Sequence, residues 1–287
     1  MRLFLCLFFW AAALSPAPLA AQNQPSEPGG GLHLVNIALH QFEDGPSLPS
    51  SYAFRPGETV FLSFQVSGFK ADGLNQIRLV CEFQPMDAQG VKLQPGQNRT
   101  VDTELAPQDK DWLPKIRYSA VVPPLIRNGE YRIVVAIKDQ IGGAGVRQQI
   151  PFAVRGKDVE PSASLAIRSL RFLRAEDETE ALSVAAFRPG SMLWARFEVT
   201  GFKLGENNQV NVEYGLEVLS AAGDVLFSQP QAAREEDSSF YPKHYVPGLL
   251  SLNLTPEVQN GDYVLRVVAR DLVGNQETDA KAAFSVQ

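Results

Sequence analysis

The chain has 287 residues, with 26 basic against 32 acidic side chains and a formal net charge of −6, spread along its length. This mild, scattered acidity gives no electrostatic footprint for nucleic acid or an anionic membrane. Its only cysteines are Cys6 and Cys81, which excludes a disulfide framework and leaves stability to hydrophobic cores.

Residues 1–21 carry one base, Arg2, then an apolar run from Leu3 to Leu14, then small residues and prolines ending in Ala20-Ala21. That order matches the n-region, h-region and cleavage region of a secretory signal peptide. The apolar run is shorter than the roughly 20 residues of a membrane span. Export to a periplasm or beyond the cell is therefore expected, with cleavage after Ala21 or, as the alternative, Ala20. Cys6 would leave with the signal, so Cys81 would have no intramolecular partner. No other run is apolar enough for a membrane span, and no C-terminal anchor is expected after the last strand-like segment. Residues 22–32, rich in Pro, Gly and Gln, read as a flexible leader.

From there the chain repeats itself. A shift of 133 positions superposes Phe54-Arg55-Pro56-Gly57 on Phe187-Arg188-Pro189-Gly190, Gly68-Phe69-Lys70 on Gly201-Phe202-Lys203, Asn75-Gln76 on Asn208-Gln209, and Gly90 on Gly223. The same shift places Pro114 on Pro247 and Trp112 on Tyr245. A shift of 132 then superposes Asn128-Gly129-Glu130-Tyr131 on Asn260-Gly261-Asp262-Tyr263, and Asp139 on Asp271. So long a period indicates a duplicated domain rather than a solenoid. The expected units are residues 33–154 and 166–287, joined by a polar linker over 155–165.

Inside each unit apolar and polar residues alternate, as in half-buried strands. Val60, Leu62, Phe64 and Val66 form one inward set, and Leu193, Ala195, Phe197 and Val199 repeat it. Ile77, Leu79, Cys81 and Phe83 correspond to Val210, Val212, Tyr214 and Leu216. About seven strands per unit, separated by turn signals, predict an all-β chain of two tandem antiparallel β-sandwiches. In each FRPG, Pro suits the second position of a type II turn and Gly the third, where φ is positive.

The segments LIRNGEYRIVVAIKDQIGG (125–143) and LTPEVQNGDYVLRVVARDLVGN (254–275) place Gly-x-Tyr just before a strand. In this they resemble fibronectin type III and bacterial immunoglobulin-like domains. The resemblance implies that Tyr131 and Tyr263 are tyrosine corners, each hydroxyl bonding back to the chain. Neither unit has the Cys…Trp…Cys pattern of antibody domains, and this architecture does not by itself dictate a function.

Few residues point to chemistry. Asp139 and Asp271 each end a strand three residues before a glycine. One acid per corner falls short of the about six to eight oxygens calcium takes, so an Asx turn is expected. Cys81, in an inward register, reads as a small buried hydrophobe. His33, His40 and His244 lack a second ligand at metal spacing, and nucleophile-elbow and phosphate-loop motifs are absent. No catalytic residue, metal or cofactor is expected. The outward positions are more suggestive. Phe61 and its mate Trp194 put an aromatic where alternation calls for a polar residue. Phe240 and Tyr241, in REEDSSFYPKHYVP (234–247), lack mates and are the candidates for an exposed contact, with a strand-end cluster covering core as the other reading. The expected role is non-enzymatic: binding, adhesion or spacing outside the cytoplasm, with a protein or glycan partner. A carbohydrate-binding module using the outward aromatics is one alternative. A periplasmic chaperone-like protein is another, although Pro151 interrupts the strand VRQQIPFAV that would offer an edge.

Overall fold

Each FRPG tetrapeptide is a turn that carries the chain from one sheet to another. In the computed structural model, which describes residues 31–109 and 111–287, Glu58 N–H donates to the Arg55 carbonyl and Ser191 N–H to that of Arg188. Gly57 and Gly190 take φ of 85° and 80°, which completes the type II turn. The preceding Phe54 and Phe187 are buried, each in a short parallel pairing, while the strand after the turn enters the opposite sheet. The signal peptide and most of the leader lie outside the described residues.

The first half contains β1 (His33–His40), β2 (Ala53–Phe54), β3 (Thr59–Ser67), β4 (Gln76–Met86), β5 (Gln97–Glu104), β6 (Lys115–Val121), β7 (Gly129–Asp139) and β8 (Gly145–Val154). They form a three-stranded sheet, β1-β3-β6, facing a five-stranded sheet, β2-β8-β7-β4-β5. The second half repeats this plan with β9 (Ala166–Leu173), β10 (Ala186–Phe187), β11 (Met192–Thr200), β12 (Val210–Ser220), β13 (Val225–Asp237), β14 (Val246–Asn253), β15 (Gly261–Asp271) and β16 (Gln276–Val286). Its sheets run β14-β11-β9 and β10-β16-β15-β12-β13. Every neighbouring pair is antiparallel except the short β2–β8 and β10–β16 contacts. The chain is thus all-β, with two sandwiches in tandem. No helix among the described residues is long and apolar enough to cross a membrane.

The inward sets read from alternation are buried in both sandwiches. Cys81 is fully buried, and desolvation pushes its thiol up to about 11, which suppresses the reactive thiolate. The Tyr131 hydroxyl donates to the Arg127 carbonyl at 2.9 Å, and Tyr263 does the same to Gln259 at 2.7 Å.

One part of the repeat is shifted. Phe61 pairs with Ser119 and Trp194 with Ser251, so β6 and β14 are related by 132 positions rather than 133. The counterpart of Pro114 is therefore Val246, not Pro247, and Leu113 rather than Trp112 corresponds to Tyr245. A one-residue slip would have turned every inward side chain of the strand outward, and burial of Ile116, Tyr118 and Ala120 forbids it.

The distance between FRPG and Gly-Phe-Lys is explained at the other end of each sandwich. Asp139 is buried, and its carboxylate accepts from the backbone N–H groups of Lys70, Ile141 and Gly142 at 2.9 Å each. Asp271 accepts from the N–H groups of Lys203 at 2.8 Å and Val273 at 3.0 Å, and from the Gln276 amide at 3.2 Å. These are Asx turns that also tie a hairpin to the loop after β3 or β11. Gly68 and Gly201, at φ of 80° and 75°, lie where an added Cβ would collide with backbone of Gly31 and Ser164. Replacing Asp271 by alanine strands buried donors and should cost about 3 kcal/mol, read as a lower urea midpoint with unchanged slope.

Candidate functional site

The outer face of β3 carries Phe61, Ser63 and Gln65 by alternation. In the first sandwich this face is roofed by the loop after β1. A bulge at Asn36, with φ of 52°, shifts the register of β1 so that His40 lies opposite Phe61. His40 Nε2 is 2.8 Å from Ser63 Oγ, and its Nδ1 is 3.2 Å from the Pro46 carbonyl oxygen. A carbonyl only accepts, so Nδ1 is the donor to Pro46, while Nε2 shares a hydrogen bond with the Ser63 hydroxyl. Both residues are buried.

Beside this pair lies a cavity of about 220 Å3 lined by His40, Glu43, Asp44, Phe61, Ser63, Arg99, Arg117 and Ser119, with parts of Leu62 and Tyr118. Asp44 binds Lys115 at 2.7 Å and both Nε and Nη2 of Arg117 at 3.0 Å. The hydrogen bond from Arg117, then that from Lys115, lowers the Asp44 carboxyl to about 2. Arg99 reaches the Arg117 carbonyl at 2.8 Å. The cavity thus combines the Phe61 ring, the carboxylates of Glu43 and Asp44, two guanidinium groups and the hydroxyls of Ser63 and Ser119. The acids pair with Arg117 and Lys115, so His40 and Ser63 form a dyad oriented by a carbonyl rather than a carboxylate.

The duplicate face differs. The counterpart of His40 is Leu173, fully buried opposite Trp194, and the counterpart of Ser63 is Arg196. Trp194 is half-buried between β9 and β14. Phe61 and Trp194 are therefore equivalent in register but not in surroundings. Sequence reasoning singled out Phe61 and missed His40, Ser63, Asp44 and Arg117. The loop that folds over β3 gathers them, and no local spacing announces it.

Phe240 and Tyr241 separate in the same way. Phe240 is exposed, at the rim of a crevice of about 280 Å3 between the sandwiches. Tyr241 is 7% exposed and belongs to the core of the first sandwich, not the second that supplies it. This corrects its expected role as an exposed contact: the loop after β13 turns it into the neighbouring core. Its hydroxyl donates to Asp87 at 3.1 Å and lies 3.3 Å from His244 Nε2 and beside the Tyr131 hydroxyl. Desolvation is the main reason its phenol is pushed far up. The linker is fastened as well. Arg155 N–H donates to the Phe54 carbonyl, Val159 is buried, and Lys157 pairs with Glu198, which Arg171 also approaches at 3.3 Å. Glu198 is itself buried on the outer face of β11.

No family model matches the sequence, and no curated protein matches it. Among solved structures, the chain is similar to the C-terminal domain of the antigen I/II-family protein AspA of Streptococcus pyogenes, at a TM-score of 0.31 and 9% identity, covering 88% of this chain and 99% of that one. It is also similar to the C-terminal domain of the antigen I/II polypeptide BspA of Streptococcus agalactiae, at a TM-score of 0.30 and 12% identity, covering 88% and 100%. Likeness of this degree does not identify a ligand.

Truncating Tyr241 to alanine empties a site in the first core and should cost about 3 kcal/mol. The linker over 155–165 should then become cleavable under limited proteolysis that leaves the wild type intact. The joint should also respond to pH. Burial, followed by the charge of Arg127, lowers the His244 pKa below 6.5, against a smaller opposing effect of Asp87. The unfolded chain therefore binds the proton first. Stability from this group is full above pH 6.5 and falls as pH drops through the folded value. Melting curves between neutral and mildly acid pH should show this loss in the wild type and a flatter profile in His244→Gln.

Proposed function

We propose that the protein is a non-enzymatic binding module that acts outside the cytoplasm, in a periplasm or secreted. Its two sandwiches are held in a fixed relation so that the pocket on the first faces a partner at a set orientation. The observation that carries this reading is Tyr241, a side chain of one sandwich buried in the core of the other. A joint of that kind suits presentation and spacing better than hinged capture. The signal-like N-terminus and the absence of a phosphate loop, nucleophile elbow or metal spacing support the same reading.

A second reading is favoured by the pocket itself: the ligand is a carbohydrate. Sugars are bound by an aromatic face together with planar, multidentate hydrogen-bonding groups, and Phe61 with Asp44, Arg99 and Arg117 supplies that set. Arg117 is pre-aligned by Asp44, so little side-chain freedom would be lost on binding. Trp194, the register mate of Phe61 on a face that lacks the His40–Ser63 pair and the Asp44–Arg117 clamp, serves as the internal control. A glycan array probed with the wild type should give signals that Phe61→Ala and Arg117→Ala each reduce at least tenfold and Trp194→Ala leaves in place. Absence of any signal, or signals indifferent to the first two changes, would sink the carbohydrate reading. Binding of a protein partner that still needs the intact joint would leave the broader one standing.

A further inference from the structure

The joint between the sandwiches has two parts, and each recurs unpartnered elsewhere in the chain. The first part is a socket, the mouth of the first sandwich beside the β4–β5 connection. Leu93 plugs part of it from within, at 4% exposure, and Gln94 bridges to the Tyr118 hydroxyl and the Val121 N–H across the gap between the sheets. Residues Ser239–Lys243 of the second sandwich cover the rest, with Tyr241 innermost and only the crevice of about 280 Å3 left beside them. The second part is the plug, the connection from β13 to β14 that carries Tyr241.

The same mouth exists in the second sandwich and stands open. Leu226 and Phe227 follow the Gly223 hairpin as Leu93 and Gln94 follow the Gly90 hairpin. Here, however, the chain stays paired to β12 as a thirteen-residue strand, so the two side chains remain 57% and 46% exposed. The stacked Phe83 and Tyr118, 4.5 Å apart in the first sandwich, correspond to Leu216 and Leu250 in the second, which are smaller. The result is an apolar cavity of about 530 Å3 whose walls include Leu226, Phe227, Thr255, Val258 and Tyr263. These are counterparts of Leu93, Gln94, Pro123, Ile126 and Tyr131 around the filled mouth. The matching plug is the connection from β5 to β6. It carries Trp112, which is 41% exposed and sits where the second sandwich has His244, the residue that touches Tyr241.

We propose that a second copy of this chain docks head to tail, its Trp112 loop entering the open mouth of the second sandwich as the Tyr241 loop enters the first. The contact is heterologous, because the surfaces that meet are different, and each added copy offers a fresh mouth and a fresh loop. The internal joint forms at the high effective concentration set by an eleven-residue linker, whereas the joint between copies forms at the free protein concentration. Assembly therefore depends on concentration. This inference is independent of the carbohydrate reading, whose pocket lies on another face.

Sedimentation velocity and light scattering on the purified chain test it. The wild type should grow from one-chain to multi-chain species as concentration rises. Trp112→Ala and Leu226→Glu, both at exposed positions, should each remain single chains with unchanged circular dichroism and melting. Should either fail to fold, Trp112→Ser or Phe227→Lys replaces it. An equimolar mixture of the two variants should form a two-chain species and nothing larger, because one variant keeps only its mouth and the other only its loop. A wild type that stays single at every concentration, assembly that survives either substitution, or a mixture that fails to pair would each overturn the proposal. Pairing through the exposed edge of β13 in a symmetric dimer would appear as assembly that survives Trp112→Ala.

Discussion

Burial of one phenol in a neighbouring core organises the molecule above the level of the single sandwich. Tyr241 leaves the domain that encodes it and completes the other, with its hydroxyl placed on Asp87. A buried aromatic contributes about 1.5–3 kcal/mol through its area alone, and the hydrogen bond prevents the accompanying cost of an unsatisfied polar atom. The linker adds the Lys157–Glu198 pair, a second counter-charge beside Arg171 for a buried carboxylate. Two domains that an eleven-residue tether would leave free to hinge are thereby held together.

The duplication makes the differences between the copies informative. Where the copies agree, the shared residues do structural work: the FRPG turns switch sheets, the Gly-Phe-Lys segments donate to buried aspartates, and the tyrosine hydroxyls bond back four residues. Where they diverge, the surface changes character. His40 and Ser63 beside Phe61 give the first outer face a polar pocket. On the second outer face Leu173 and Arg196 stand in their places beside Trp194. The mouths diverge in the opposite sense, closed in the first sandwich and open in the second. A duplicated scaffold has thus placed a polar site and an apolar site on different copies.

Much of the scaffold could be read along the chain. Alternation identified the inward sets of β3 and β4 and their copies, because a strand's side-chain period is fixed by backbone geometry. The Asx turns at Asp139 and Asp271 and the type II turns at FRPG depend on a few neighbouring residues, and they too were legible. The relation of β6 to β14 was not. Two prolines suggested a match one residue away from the true pairing, and only the ladder with β3 and β11 discriminates between them.

Composition, periodicity and repetition in the sequence were enough to determine an all-β chain of two like sandwiches, since these follow from local backbone preference and from which side chains avoid water. Tertiary structure alone decided that Tyr241 is an anchor and Phe240 a rim residue, although they are adjacent and both aromatic. It also decided that His40 meets Ser63, and that Leu93 is hidden while Leu226 is exposed. Those outcomes depend on where a loop lands after two sheets have packed and two domains have met. That is a matter of shape and burial between segments distant in the chain, and the spacing of residues does not encode it.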